Sequence, residues 1–224
     1  MKIVAISDQH GHLPNIPECD LLIVAGDQCP DGFGGLWARY FPDRQASWFE
    51  NVWLPWREKQ PARHCVLTWG NHDYCGQFDA NIRHRCWREN TDIIIDTEVV
   101  FEDVRIWLTP WSNQFMDWAF MKQPQELTEV YARIPEDIDI LVSHQPPIGT
   151  NTRVHDTSRG EIDIGSIELG EAIDRVKPRL VICGHIHFAH GKYVRGTTEI
   201  YNVSVVNEAY QMVHSPTEIM WRRQ

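Results

Sequence analysis

The sequence predicts an α/β fold in a single domain over residues 1–224, with two mixed β-sheets packed as a sandwich and helices outside. Three observations lead there. Short apolar runs rich in Val and Ile recur along the chain, the pattern of buried strands. Helical stretches alternate with these runs in the first half and hairpins appear later, which favours mixed sheets over a purely parallel one. Five of the runs stop at an oxygen or imidazole side chain, and ligands of α/β folds gather at the carboxyl ends of strands. A cut anywhere between Asp8 and His187 would split that set, so one domain is expected.

The elements follow in order. Strands are expected at 2–6, 21–25, 64–69, 92–95, 97–101, 104–109, 138–143, 179–183, 192–195, 198–206 and 217–222. The pair flanking Glu102-Asp103 reads as a hairpin, as does the pair flanking Gly196. Helices are expected at 44–60, 76–90, 125–133 and 166–177. Ser166 offers the last of these an N-cap, Glu168 sits in its first turn and Pro178 stops it. In the first helix Trp48, Phe49, Val52, Trp53 and Trp56 share one side, a face for core packing. Pro55 should bend or shorten it. A second aromatic cluster (Trp107, Trp111, Phe115, Trp118, Phe120) is read as core before pocket lip or subunit contact.

Composition narrows the function. The chain carries 31 acidic and 21 basic residues, a formal net charge of −10. Proteins that grip long nucleic acid gain affinity from Lys and Arg on phosphates, so this balance argues for a small ligand. The six Cys lack the spacing of a disulfide scaffold, and several lie in apolar runs, as free thiols do in a reducing compartment. The apolar run Ile3–Ile6 is too short for the core of a signal peptide. No run approaches the roughly 18 residues of a membrane span. A cytoplasmic protein is expected.

The five interrupted runs carry the chemistry. Ile3–Ile6 leads to Asp8 and His10, Leu21–Gly26 to Asp27, and Cys65–Gly70 to Asn71, His72 and Asp73. Ile140–Ser143 leads to His144, and Leu180–Gly184 to His185 and His187. Asp8, His10, Asp27, Asn71, His144, His185 and His187 together offer two carboxylates, one amide oxygen and four imidazoles. Such a mixed set without thiolate suits Mn, Fe, Zn or Ni rather than Ca or a structural zinc. It is too large for one tetrahedral ion and right for two if a carboxylate bridges. Two ions about 3.5–4 Å apart can clamp the attacking and leaving oxygens of a displacement at phosphorus. Two divalent ions against two carboxylates and a hydroxide leave about one net positive charge, enough to draw in a phosphoester. No P-loop, G-x-S-x-G elbow, H-E-x-x-H or cysteine-phosphatase loop competes with this reading. His12, His64, His84, His155, His190 and His214 fall outside the clusters, with His12 and His190 nearest to them.

The order of motifs resembles the calcineurin-like metallophosphoesterase superfamily: Asp8-Gln9-His10, Gly26-Asp27, Gly70-Asn71-His72-Asp73, His144 and Gly184-His185-Ile186-His187. Thr109-Pro110-Trp111, Ile138 to Pro147, Lys177-Pro178-Arg179 and Asn202-Val203-Ser204 are similar to its small metallophosphoesterase-domain (MPPED-type) branch. The resemblance implies a first metal on Asp8, His10, Asp27 and His187 and a second on Asp27, Asn71, His144 and His185. It further implies attack by a metal-bridging hydroxide, with His72 donating to the leaving oxygen and Asp73 or another carboxylate orienting it. The implied activity is hydrolysis of small phosphodiesters, cyclic or other nucleotides among them, with phosphomonoesters, then nucleic acid or a non-catalytic scaffold, as alternatives. Gln145, where the superfamily often has Gly or His, is expected to touch substrate, as are Arg153 and Arg159 in the loop from 145 to 165.

Overall fold

The computed structural model describes residues 1–31 and 41–222. The chain opens with β1 (Lys2–Ile6) and β2 (Cys19–Ala25). One long helix follows in three pieces: α1 (Pro42–Trp48), a π-helical turn (Phe49–Trp53) and α2 (Leu54–Glu58). The wide turn lies just before Pro55, which lacks the amide a regular α-helix would need there, so the expected bend becomes a widened turn and the helix continues. Then come β3 (Ala62–Thr68), α3 (Tyr74–Phe78), α4 (Ile82–Arg85), β4 (Thr91–Ile93), β5 (Thr97–Phe101) and β6 (Val104–Thr109).

The expected helix at 76–90 is therefore two short ones. Asp79 is extended and its carboxylate takes the amide of Asn81, a local bond that competes with helix continuation. Next are β7 (Ser112–Asn113), β8 (Met121–Lys122), α5 (Pro124–Tyr131), β9 (Ile140–Ser143), β10 (Arg153–Asp156) and β11 (Gly160–Asp163). The chain ends with α6 (Ile167–Val176), β12 (Leu180–Cys183), β13 (Gly191–Arg195), β14 (Thr198–Asn202) and β15 (Thr217–Met220). Ser166 caps α6 by accepting from Leu169 N at 3.1 Å, and left-handed Lys177 ends it before Pro178.

Two large sheets form, ordered β15-β1-β2-β3-β4 and β13-β14-β12-β9-β6-β5. Each has a parallel centre; β15 is an antiparallel edge of the first, whose other edge β4 is parallel, and β13 and β5 are antiparallel edges of the second. Strand alternation then assigns the layers. Ile3, Ala5, Leu21, Ile23 and Val66 face Ile106, Leu108, Ile140, Val142 and Ile182 between the sheets. Val4, Leu22, Val24, Cys65 and Leu67 point the other way, onto Phe49, Trp53 and Leu54 of the long helix. Leu141, Val181 and Ile200 pack outward on Leu127 and Tyr131 of α5 and on Leu169 and Ile173 of α6. The result is helix, sheet, sheet, helix.

The first aromatic face is core for Phe49 and Trp53, and Trp48 and Trp56 pack against that core, but Val52 is exposed. The second cluster splits: Trp107 and Phe120 are buried, whereas Phe115 is exposed. All six Cys are buried and free. No helix among the described residues is long and apolar enough to cross a membrane.

Candidate metal centre

The parallel strands of both sheets end at one edge of the sandwich. Ser7, just after β1, pairs with Ser204, just after β14, and its amide bonds Val203 O at 3.0 Å, so the two sheets are stitched together where the ligands begin. The loops beyond the strands turn sharply. Asp8, His10, Asp27 and His185 all have positive φ, from 41° to 67°, a left-handed conformation that non-glycine residues adopt at a cost. Four of the seven expected ligands thus carry backbone strain of the kind that gathers at functional sites.

The glycines before these ligands have a shared physical reason. A Cβ on Gly70 would run into Asp27 Oδ1, one on Gly26 into the His144 ring, and one on Gly184 into Ser7 Oγ and Asp8 Oδ2. Each Gly leaves the space another loop's ligand needs. This is why Gly precedes Asp27, Asn71 and His185 in the sequence.

The structure brings the seven residues into two adjoining sets. Ligand atoms of Asp8, His10 and His187 lie within 4.8 Å of one another, as do those of Asp27, His144 and His185. Asp27 Oδ2 is 3.8 Å from His10 Nε2 and 3.2 Å from His144 Nε2, so its carboxylate stands between the sets. Asn71 joins the second through Oδ1, 2.9 Å from His144 Nε2.

Supporting bonds fix which nitrogens face inward. His144 Nδ1 donates to Ala25 O at 2.8 Å and His187 Nδ1 to Asn207 O at 3.1 Å, which leaves both Nε2 atoms for the site. Asn202 Nδ2 donates to Gly184 O and Ile186 O and so clamps the loop carrying His185 and His187. Gln9 Oε1 accepts from Trp53 Nε1 at 2.9 Å, tying the first ligand loop to the aromatic helix.

Asp73 and His72 play different parts from each other. Both Asp73 oxygens accept backbone amides, from Asp27 and Gly70 at 2.8 Å and from Cys29 at 2.9 Å. Asp73 therefore holds the loops in place, and the carboxylate on His72 is Asp31, whose Oδ1 lies 2.7 Å from Nδ1. Asp31 Oδ2 also lies 2.9 Å from His10 Nδ1, off the N–H direction, so neither ring nitrogen of His10 has a directed hydrogen bond. Sequence reasoning left the orienting carboxylate open between Asp73 and another. The one signal for Asp31 was its place four residues after Asp27 in the same loop.

Gln145 is buried, and its amide closes on two backbone groups: Oε1 takes Asn113 N, and Nε2 donates to Ile164 O at 3.0 Å. Arg153 and Arg159 are exposed on the β10–β11 hairpin. Among the described residues no hydrogen bond or ion pair links them to the cluster. His12 does approach the site, donating from Nε2 to Tyr210 O at 2.9 Å. His190 stacks instead on His214, 3.8 Å away.

Burial raises the cost of every charge here, and neighbours decide the outcome. Burial would raise Asp8, but its bond to His187 and the charges of His187 and His144 hold it down to about 2. Asp27, equally buried, is held well below the usual carboxylate range by His144 and His72. Burial lowers His144 and His72, yet the Asp27 charge, followed by hydrogen bonds that the imidazoles donate to Asp27 and Asp31 respectively, lifts each to about 9. Burial and the charge of His144 push His185 down to about 3. These residues fit a metal. His10 keeps two undirected nitrogens, burial disfavours a charge on His185, and His144 Nε2 faces the oxygens of Asp27 and Asn71.

A fold that places four left-handed non-glycine residues among two adjoining sets of oxygen and nitrogen atoms presents a candidate metal site. Comparison with known proteins then gives the family. Residues 1–189 match the calcineurin-like phosphoesterase family, and the chain belongs to it. Human and mouse metallophosphoesterase domain-containing protein 1 are each 30% identical over 244 residues, covering 97% of this chain and 70% of theirs. Among solved structures, one neighbour has a TM-score of 0.61 at 14% identity, covering 90% of this chain and 89% of its own. The protein TT1561 of Thermus thermophilus has a TM-score of 0.52 at 13% identity, covering 90% and 88%. Both agree on the two-sheet fold.

Proposed function

We propose that this chain is a metal-dependent phosphoesterase that favours small phosphodiesters, nucleotides and cyclic nucleotides among them. The observation that carries the reading is Asp27 standing between two ligand sets, with His72 beside them and held by Asp31. Asp8, His10, Asp27 and His187 would hold one ion, and Asp27, Asn71, His144 and His185 the other, from Mn, Fe or Zn. When bound, such ions supply Lewis-acid charge and a water-derived nucleophile at neutral pH.

The chain's own residues do the rest. Asp31 occupies His72 Nδ1, which leaves Nε2 to donate a proton to the departing oxygen. The His72 amide donates to Asp27 Oδ1 at 2.8 Å, so the proton donor and the carboxylate that would serve both ions keep a fixed spacing. Gln45 Nε2 holds His72 O at 2.7 Å and steadies the same turn from α1. A diester carries one negative charge where a monoester carries nearly two, and a chain of net charge −10 repels it less. The same repulsion disfavours long nucleic acid.

The test is turnover of an aryl phosphodiester and the matching monoester by one Mn-loaded preparation. Metal-dependent diester turnover that collapses in Asn71→Ala is expected. Faster monoester turnover would replace the substrate class, and no turnover of either would end the enzymatic reading.

A further inference from the structure

Two aromatic rings stand beside imidazoles of the site, on loops held by bonds to Asn71 and His187. Tyr210 sits at the tip of the 207–211 turn, with its ring centroid 4.6 Å from His10, 5.3 Å from His187 and 6.2 Å from His72. Trp118 lies 4.9 Å from His72 at 45°. Neither position is accidental to the loop. Asn207 O, which starts the turn, accepts His187 Nδ1, and Tyr210 O accepts His12 Nε2. Asn207 Oδ1 takes the amides of Ala209 and Gln211, and Tyr210 itself is left-handed at φ 58°.

On the other loop, Ala119 N donates to Asn71 O at 3.1 Å and Phe120 N to Gln77 Oε1 at 2.6 Å. Exposed Phe115 meets Trp118 edge-on at 5.6 Å and extends the apolar wall. Tyr210 is 41% exposed although it touches three site imidazoles, so a strained turn is spent on presenting an aromatic face to solvent at the mouth of the site.

We infer that Trp118 and Tyr210 form an aromatic subsite selecting phosphoesters that carry a planar ring close to phosphorus, a nucleobase or an aryl group. The inference rests on the phosphoesterase reading for what lies between the rings, since His72 marks the departing oxygen and Trp118 flanks His72. Stacking of a ring on an aromatic side chain is sequence-tolerant and worth roughly 5- to 150-fold per ring. The subsite thus sets a class of substrate rather than one base.

The experiment compares ligands that differ only in the ring. Binding of AMP against ribose 5-phosphate, and of phenyl phosphate against cyclohexyl phosphate, is measured by calorimetry on the chain of residues 1–224. Turnover of cyclic AMP against its abasic analogue, which has the same leaving alcohol, is measured on the Mn-loaded form. Wild type should prefer the ring-bearing member of a pair by roughly 5- to 150-fold. Trp118→Ala and Tyr210→Ala should each erode that preference, and Trp118→Phe and Tyr210→Phe should largely keep it. A preference in the AMP pair alone assigns the subsite to nucleobases, and one in the phenyl pair alone to simple aryl groups. Equal binding within both pairs, or a preference untouched by the alanine variants, overturns the subsite. Preserved binding preference without any turnover overturns the reaction and leaves the subsite standing.

Discussion

The ligand loops and the β10–β11 hairpin are made of similar residues, yet they end as opposites. Both are rich in Asp, His and Gly. In the loops after β1, β2, β3 and β12, side chains of one loop bond the backbone of another: Asp73 holds Asp27 and Cys29, and both Asp8 oxygens lie 3.0 Å from His185 N. Toward the tip of the hairpin the polar groups bond each other and face solvent. His155 meets Glu161 at 3.1 Å across the strand pair, and Asp156 holds its own turn through Ser158 and Arg159. Shared, buried bonds fix direction, and fixed direction is what a ligand needs. Residue type alone does not separate the two regions.

The largest expected effect breaks the ligand side of this comparison. Asp27→Asn removes the shared charge and should lower kcat/KM at least ~10³-fold, since metal charge stabilisation is worth several kcal/mol. Metal analysis of the purified variant should fall below wild-type content; full content would contradict the bridging position. Gly184→Ala attacks the same loops through space alone. Its Cβ collides with Ser7 and Asp8, so about 1–3 kcal/mol of stability should go, read as a lower Tm. An unchanged Tm would show that the loops yield.

Asp31→Asn is next. Losing the carboxylate that orients His72 should cost about 10- to 100-fold in kcat with little change in KM, as for supporting bonds at metal sites. A change in KM alone would place Asp31 at the substrate.

The hairpin variants sharpen the other side. Arg153→Ala and Arg159→Ala, both exposed, should change KM by less than about threefold, within the range of surface charges. A larger rise in KM would bring the hairpin into the site. The smallest effect is one of pH. The side chain of Ser158, then the amides of Ser158 and Arg159, hold Asp156 below its ordinary value. Order in that tip is therefore complete above the usual carboxylate range and is lost as pH falls through the lowered folded pKa. The Ser158 amide shift in NMR reads this, and a shift that titrates at higher pH would refute it.

The sequence made the strands, and the candidate ligands that gather beyond them, legible because both signals are local. An apolar run of Val and Ile declares itself, and a ligand directly after it inherits the position. Ser166 was readable as a cap for the same reason. Asp31, Tyr210 and Trp118 follow no such run, and what they touch depends on how separate loops meet. Gln145 was misleading in the opposite way: it sits beside a ligand in sequence, but the chain turns its amide to Asn113 and Ile164. The break at Asp79 was hidden because Asp can continue a helix or end it, and only a bond to Asn81 decides.

Left-handed Asp8, His10, Asp27 and His185 also bear on how this protein can be improved. Glycine would relax the backbone at each of these positions, and relief of such strain is commonly worth about 1 kcal/mol or more. The same substitution deletes a candidate ligand. A screen that rewards heat resistance alone would drift toward glycine at these positions, and its survivors would have lost side chains from both candidate ligand sets.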